Sequence, residues 1–164
     1  MNLVSSLAGG LAGALAVTAL HQIFKKYDSD APRMDLLAME AISKGLKIAH
    51  QPVPAKKELY KYSMVGDLFG NALYFGFASA GKSNKAISKG VIAGLSAGIG
   101  AVLAPEPMGL NKKHSNKTAK TQFMSVAYYL IGGAITGIVS KLVDKQFESR
   151  GLKVKIKSLT PALF

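Results

Sequence analysis

SMVGDLFGNALYFGFASA (63–80), GKSNK (81–85) and AISKGVIAGLSAGIGAVL (86–103) follow one another directly, and their character decides the fold. The first segment carries a single acid, Asp67, and the last has no charge from Val91 to Leu103. An α-helix needs roughly 20 residues, with about 17 as the lower limit, to cross the hydrocarbon of a bilayer. Two such segments joined by a short basic link predict a hairpin of transmembrane helices.

Two further blocks, Leu3–Phe24 and Phe123–Val143, share this character. The chain has 164 residues, 49% of them hydrophobic, with 17 glycines and no tryptophan, and its mean hydropathy is +0.21. Its apolar residues gather into blocks separated by polar connections rather than spreading as amphipathic periods. The predicted fold is therefore all-α: an integral membrane four-helix bundle, with spans near 3–24, 63–80, 86–103 and 123–143, inside one transmembrane domain of residues 1–145. The first block has no Lys or Arg before it and is longer than a secretory h-region, so it is expected to be retained as a helix.

Between the first two blocks, Asp30-Ala-Pro32 is a helix-start signal: the carboxylate caps free N–H groups and proline fits the first turn. An amphipathic helix is expected over about 32–48, with Met34, Leu36, Leu37, Met39, Ile42 and Leu46 on one half and Arg33, Asp35, Glu40, Lys44 and Lys47 largely on the other. It is too polar to span and should lie at the membrane interface or against the bundle. Residues 146–164 form a basic tail in which Leu152-Lys-Val-Lys-Ile-Lys alternates with period two. That pattern predicts a short extended segment with Lys153, Lys155 and Lys157 turned to the headgroups.

Net charge is +12, from 21 Lys and Arg against 9 acids. Most of the cations flank the apolar blocks and no nucleic-acid motif accompanies them, so the expected partner is an anionic lipid surface and not nucleic acid. With four spans, the first and third connections share a side and carry 12 Lys and Arg, against 9 on the side of the termini. The positive-inside rule then favours N-out and C-out. There is no cysteine, hence no disulfide or thiolate metal site.

Glycines recur four apart in every span: Gly9 and Gly13; Gly66 and Gly70; Gly90, Gly94 and Gly98; Gly133 and Gly137. Such spacing makes a smooth helix face on which another backbone can approach closely, although glycine is also simply frequent in membrane helices. The third span has no aromatic residue and is expected in the middle of the bundle. Asp67 and Asn71, four apart, share one face of the second span, and His21 lies at a matching level of the first. An acid in hydrocarbon costs about 2.5–3.5 kcal/mol on insertion scales and is a candidate ligand or ion site. The alternative is an interfacial acid favoured by the helix dipole.

Gly76-Phe-Ala-Ser-Ala-Gly81-Lys82-Ser83 matches the phosphate-loop pattern GxxxxGK[ST], with Leu73–Phe77 as its possible strand. The helix after it would be uncharged and Gly/Ala-rich, and no apolar run ends in the acid that a nucleotide-bound metal needs. GxSxG and HExxH are absent, and Asn116-Lys-Thr118 matches a glycosylation sequon that has meaning only in a secretory compartment.

Three stretches, Asp30-Ala-Pro-Arg-Met-Asp-Leu-Leu, Gly66-Asp-Leu-Phe-Gly-Asn-Ala-Leu-Tyr-Phe and Thr121-Gln-Phe-Met-Ser-Val-Ala-Tyr-Tyr-Leu-Ile-Gly-Gly, together resemble a group of small, uncharacterised bacterial inner-membrane proteins. The resemblance covers most of the chain, implies a four-span protein of that membrane and carries no activity. The expected function is non-enzymatic and without a cofactor: a self-associating protein or accessory subunit of a membrane complex. A small transporter or channel built on Asp67, Asn71 and His21 is the alternative, and a nucleotide hydrolase the third.

Overall fold

The outward faces of the helices are apolar and the interior is lined with small polar residues, the inverse of a water-soluble domain. Leu11, Leu15, Val65, Phe69, Ile92 and Ile138 are exposed, whereas Ser5, Ser6, Ser79, Ser125, Thr136 and Ser140 are buried. A contiguous apolar exterior of this kind needs a partner, and hydrocarbon is the partner it fits. The computed structural model describes residues 1–149, so the tail from 150 on, with Lys153, Lys155 and Lys157, lies outside the described residues.

Among the described residues there are five α-helices and no strand: α1 (Leu3–Phe24), α2 (Met34–Ile48), α3 (Lys56–Ser79), α4 (Ala86–Leu103) and α5 (Ala119–Ser149). The helix from the 32–48 pattern begins at Met34. Arg33 stands at its N-cap without a side-chain cap bond, and the Asp28 carboxylate instead accepts the Asp30 N–H at 2.9 Å. α3 starts at Lys56, so its basic lead-in is already helical, and α5 extends past both expected ends of the fourth block. Three helical stretches are long and apolar enough to cross a membrane: Leu3–Phe24, Ser83–Leu103 and Ala119–Ser149. α3, expected as a fourth, is not among them, because Asp67 and Asn71 lower the hydropathy of its otherwise apolar 62–79 stretch.

Packing is set by the glycines. On α1, Gly9 and Gly13 face α5, where a Cβ on Gly9 would meet the Thr136 carbonyl and one on Gly13 the Gly132 carbonyl at 2.5 Å. Gly10, one residue on and so rotated by about 100°, faces α3, where an added Cβ would lie 2.6 Å from the Gly76 nitrogen. On α5, Gly132 faces α1 while Gly133 and Gly137 face Gly90, Gly94 and the start of α4. Gly98 packs on Val126 of α5. The helices therefore run in the order α3, α1, α5, α4, each antiparallel to its neighbour, and α3 and α4 touch as well. α4 is consequently not central: one face packs on α5, Ile92 and Ile99 are exposed, and Gly100 has nothing within 4 Å.

Gly66 and Gly70 also have nothing within 4 Å. α3 meets α1 through Ala72 and Gly76, so the expected smooth pair points away from the neighbouring helices. The turn from α3 to α4 uses Gly81 at φ +111°, a conformation open to glycine, and Lys89 donates to the Ala80 carbonyl.

The first and third connections are tied together on one side of the bundle. The Arg33 N–H donates to the His114 carbonyl (2.7 Å), the Glu40 carboxylate accepts the Asn111 N–H (3.0 Å), and Lys120 pairs with Asp28 (2.7 Å). Lys120 holds the Asp28 carboxyl below its ordinary range.

Candidate functional site

Asp67 and Asn71 sit one turn apart on α3, and the Asn71 amide donates to Asp67 Oδ1 at 3.0 Å. Both line an open cavity of about 480 Å³. Its walls are mostly apolar: Met34 and Leu37 of α2, Ala97 and Ala101 of α4, and Pro105 and Met108 of the third connection. Tyr129 of α5 closes it toward the interior, and Tyr74 fixes the α3 wall by donating to the Ala93 carbonyl at 3.1 Å. A half-buried carboxylate in such a groove is an acceptor looking for a cation or an N–H/O–H donor.

Asp67 also borders a second, enclosed cavity of about 10 Å³, shared with Thr18, His21, Gln22 and Ser63. That space is about enough for one water molecule. His21 is buried, and its Nδ1 lies 2.9 Å from the Val17 carbonyl. A carbonyl accepts only, so Nδ1 carries the proton and Nε2 presents its lone pair. Among the described residues, neither His21 Nε2 nor Thr18 Oγ1 has a partner. The ring is held edge-on against Tyr128 and Tyr129, with centroids 5.1 and 5.8 Å away.

Asp67 and Asn71 thus line the groove, and Asp67 and His21 the smaller space beside it, although His21 makes no bond to Asp67. Thr18, Tyr129 and Asp35 were not singled out from the sequence. Thr18 lies one turn before His21 on the same face, a spacing that marks it once His21 is taken as inward-facing. Asp35 was placed on the polar half of α2; its side chain is only 5% exposed and pairs with Lys25 (3.1 Å) and Arg33 (2.9 Å). A second buried acid, Asp144 of α5, accepts from the Asn2 N–H at 3.1 Å and lies 3.5 Å from Ser5 Oγ.

The phosphate-loop letters fall on a different structure. Residues 73–79 are helical to Ser79, Gly76 packs against α1, and Lys82 is exposed. The Leu73–Phe77 segment that the motif needs as a strand is helical, and the amides from Gly76 to Ala80 are engaged in the end of that helix, so the strand-to-loop geometry of the motif does not form here.

The inverted polarity and the three long apolar helices make this a helical membrane protein. The chain matches no family model, no curated protein and no solved structure.

Proposed function

We propose that the chain is a small, non-enzymatic transporter or channel, with Asp67 as the group that binds the moving cation or proton. In this reading α3 crosses the bilayer with α1, α4 and α5, held by its close contact with α1. α2 lies at the interface, and the termini are on the outer face of a bacterial inner membrane. The observation that carries it is the position of Asp67, on the wall of the 480 Å³ groove and of the enclosed space beside His21. An acid is costly at this depth, and among the described residues Asn71 is its one hydrogen-bonding side chain. Proteoliposomes with an imposed potential and a trapped pH dye, or a cation reporter, provide the test. Wild-type protein should conduct at least tenfold above empty vesicles and Asp67→Asn should fall to background. Equal flux from the two proteins would sink the proposal.

A second reading, a self-associating protein or accessory subunit, is favoured by the open Gly66–Gly70 face beside exposed Val65 and Phe69. The other paired glycines are consumed inside the chain, which leaves this face for a second helix. Native mass spectrometry after gentle extraction should then show an oligomer or a bound partner, and Gly66→Leu/Gly70→Leu should return a monomer. A wild-type monomer without partners would remove this reading.

A further inference from the structure

α1 loses its apolar character at Lys25, and α3 begins close by at Lys56, so both helices bring lysine to the same edge of the bundle. A third cavity, open and of about 560 Å³, lies there. Lys25, Arg33, Lys56 and Lys57 line it, together with Tyr60 and with Leu36 and Met39 of α2. We propose that this cavity is a binding site for the phosphate of an anionic phospholipid.

Charge is the first argument. Four cations meet one carboxylate, Asp35, which leaves three positive charges in excess around a space of the size small ligands occupy. The cations are also arranged. Asp35 holds the Lys25 ammonium at 3.1 Å and takes Arg33 through Nε (2.9 Å) and Nη2 (3.0 Å). Among the described residues the other guanidinium N–H groups of Arg33 have no partner, and the side chain is 44% exposed. Tyr60 steadies Lys25 from the other side, its ring centroid 5.4 Å from Nζ and its hydroxyl 3.4 Å away. Lys56 and Lys57 are exposed and have no ion-pair partner among the described residues. They occupy the first turn of α3, where Ala55 supplies no side-chain cap, so backbone N–H groups add to a site that the cavity and its charges already define.

The surroundings favour a lipid over a free anion. The site stands at the level where the α1 apolar run stops, which places it among headgroups when α1 spans. Leu36 and Met39 give it an apolar wall that inorganic phosphate cannot use and the glycerol and upper acyl carbons of a lipid can. The site is separate from Asp67 and does not depend on the transport reading.

The test titrates the full chain in zwitterionic micelles with short-chain phosphatidylglycerol, phosphatidylcholine or inorganic phosphate, reading bound ligand by native mass spectrometry. Phosphatidylglycerol should bind at least tenfold more tightly than phosphatidylcholine. Lys56→Gln/Lys57→Gln should weaken it at least tenfold, with an unchanged circular dichroism spectrum. Lys57→Glu alone should weaken it comparably. Lys82→Gln/Lys85→Gln, which removes two exposed lysines from the opposite connection, should leave it as in wild type. Equal loss in the two double variants would reduce the effect to diffuse surface charge and overturn the site. Wild-type affinity in Lys56→Gln/Lys57→Gln would overturn it as well. Inorganic phosphate binding as tightly as phosphatidylglycerol would overturn the lipid assignment in favour of a free anion.

Discussion

Gly133→Leu is expected to separate α4 from α5 and to lower stability by more than about 3 kcal/mol. A Cβ at Gly133 would meet the Gly90 carbonyl oxygen, and the Gly94 Cα and nitrogen at 2.9 Å. All three are backbone atoms, so no rotamer change relieves the contact and the helices must move apart. Overpacking that neighbours can absorb costs about 1–3 kcal/mol; here both sides of the contact are main chain. Separation also exposes the reciprocal contacts at Gly90, Gly94 and Gly137, which form one continuous seam. Against a total stability of about 5–15 kcal/mol this is a large fraction. Thermal melts in micelles, followed by circular dichroism, read it directly. Gly100→Ala is the matched comparison: nothing lies within 4 Å, so the added methyl should be neutral or stabilise by about 0.5–1 kcal/mol through helix propensity. Equal melts for Gly133→Leu and wild type would mean that the α4–α5 seam is not formed as described.

That seam shows where sequence is informative about packing and where it stops. Four-residue spacing reveals that a smooth face exists, and it marked α1, α4 and α5 at residues that do sit in helix contacts. It does not say which neighbour a face meets. The Gly9-Gly10 and Gly132-Gly133 doublets hold that information, because adjacent glycines lie about 100° apart and give one helix two close neighbours. The two helices with doublets are the two in the middle of the row. On α3 the spacing misled. Gly66 and Gly70 precede Asp67 and Asn71 by one position, so the polar pair turns to the groove while the glycines turn outward, and contact with α1 falls to Ala72 and Gly76. Asp35 was illegible for a different reason. Its burial depends on Lys25, ten residues earlier, and on the fold-back that brings both beside Tyr60. The phosphate-loop letters are present, but a chain with 17 glycines places such a match at a helix end without the strand that gives it meaning.

The same fold-back makes Asp35 the other position of large effect: Asp35→Ala is expected to cost about 2–4 kcal/mol. Removing one partner of a fully buried ion pair costs about 3–5 kcal/mol. Here Lys25 and Arg33 keep 17% and 44% of their side chains exposed and recover some hydration, which lowers the figure. The pair also sets an acid limit. Burial pushes the Asp35 carboxyl up, but hydrogen bonds from Arg33 and Lys25, with their charges, more than offset this and hold it at about 2, against an ordinary 3.8. The unfolded chain therefore takes up the proton first as pH falls. The stabilisation is complete above about pH 5, declines through 3.8 and is gone below about 2, and its full size is about 2 kcal/mol. Asp28, also depressed, shifts stability in the same direction, so wild type alone does not isolate Asp35. Asp35→Asn does, because it keeps the shape and removes the titration. Between pH 5 and pH 2.5 the wild-type melting temperature should fall further than that of Asp35→Asn. Parallel acid dependence in the two proteins would mean that the carboxylate is not charged in its pair. Lys25 and Arg33 would then lack the anchor that aims them into the cavity beside Lys56 and Lys57.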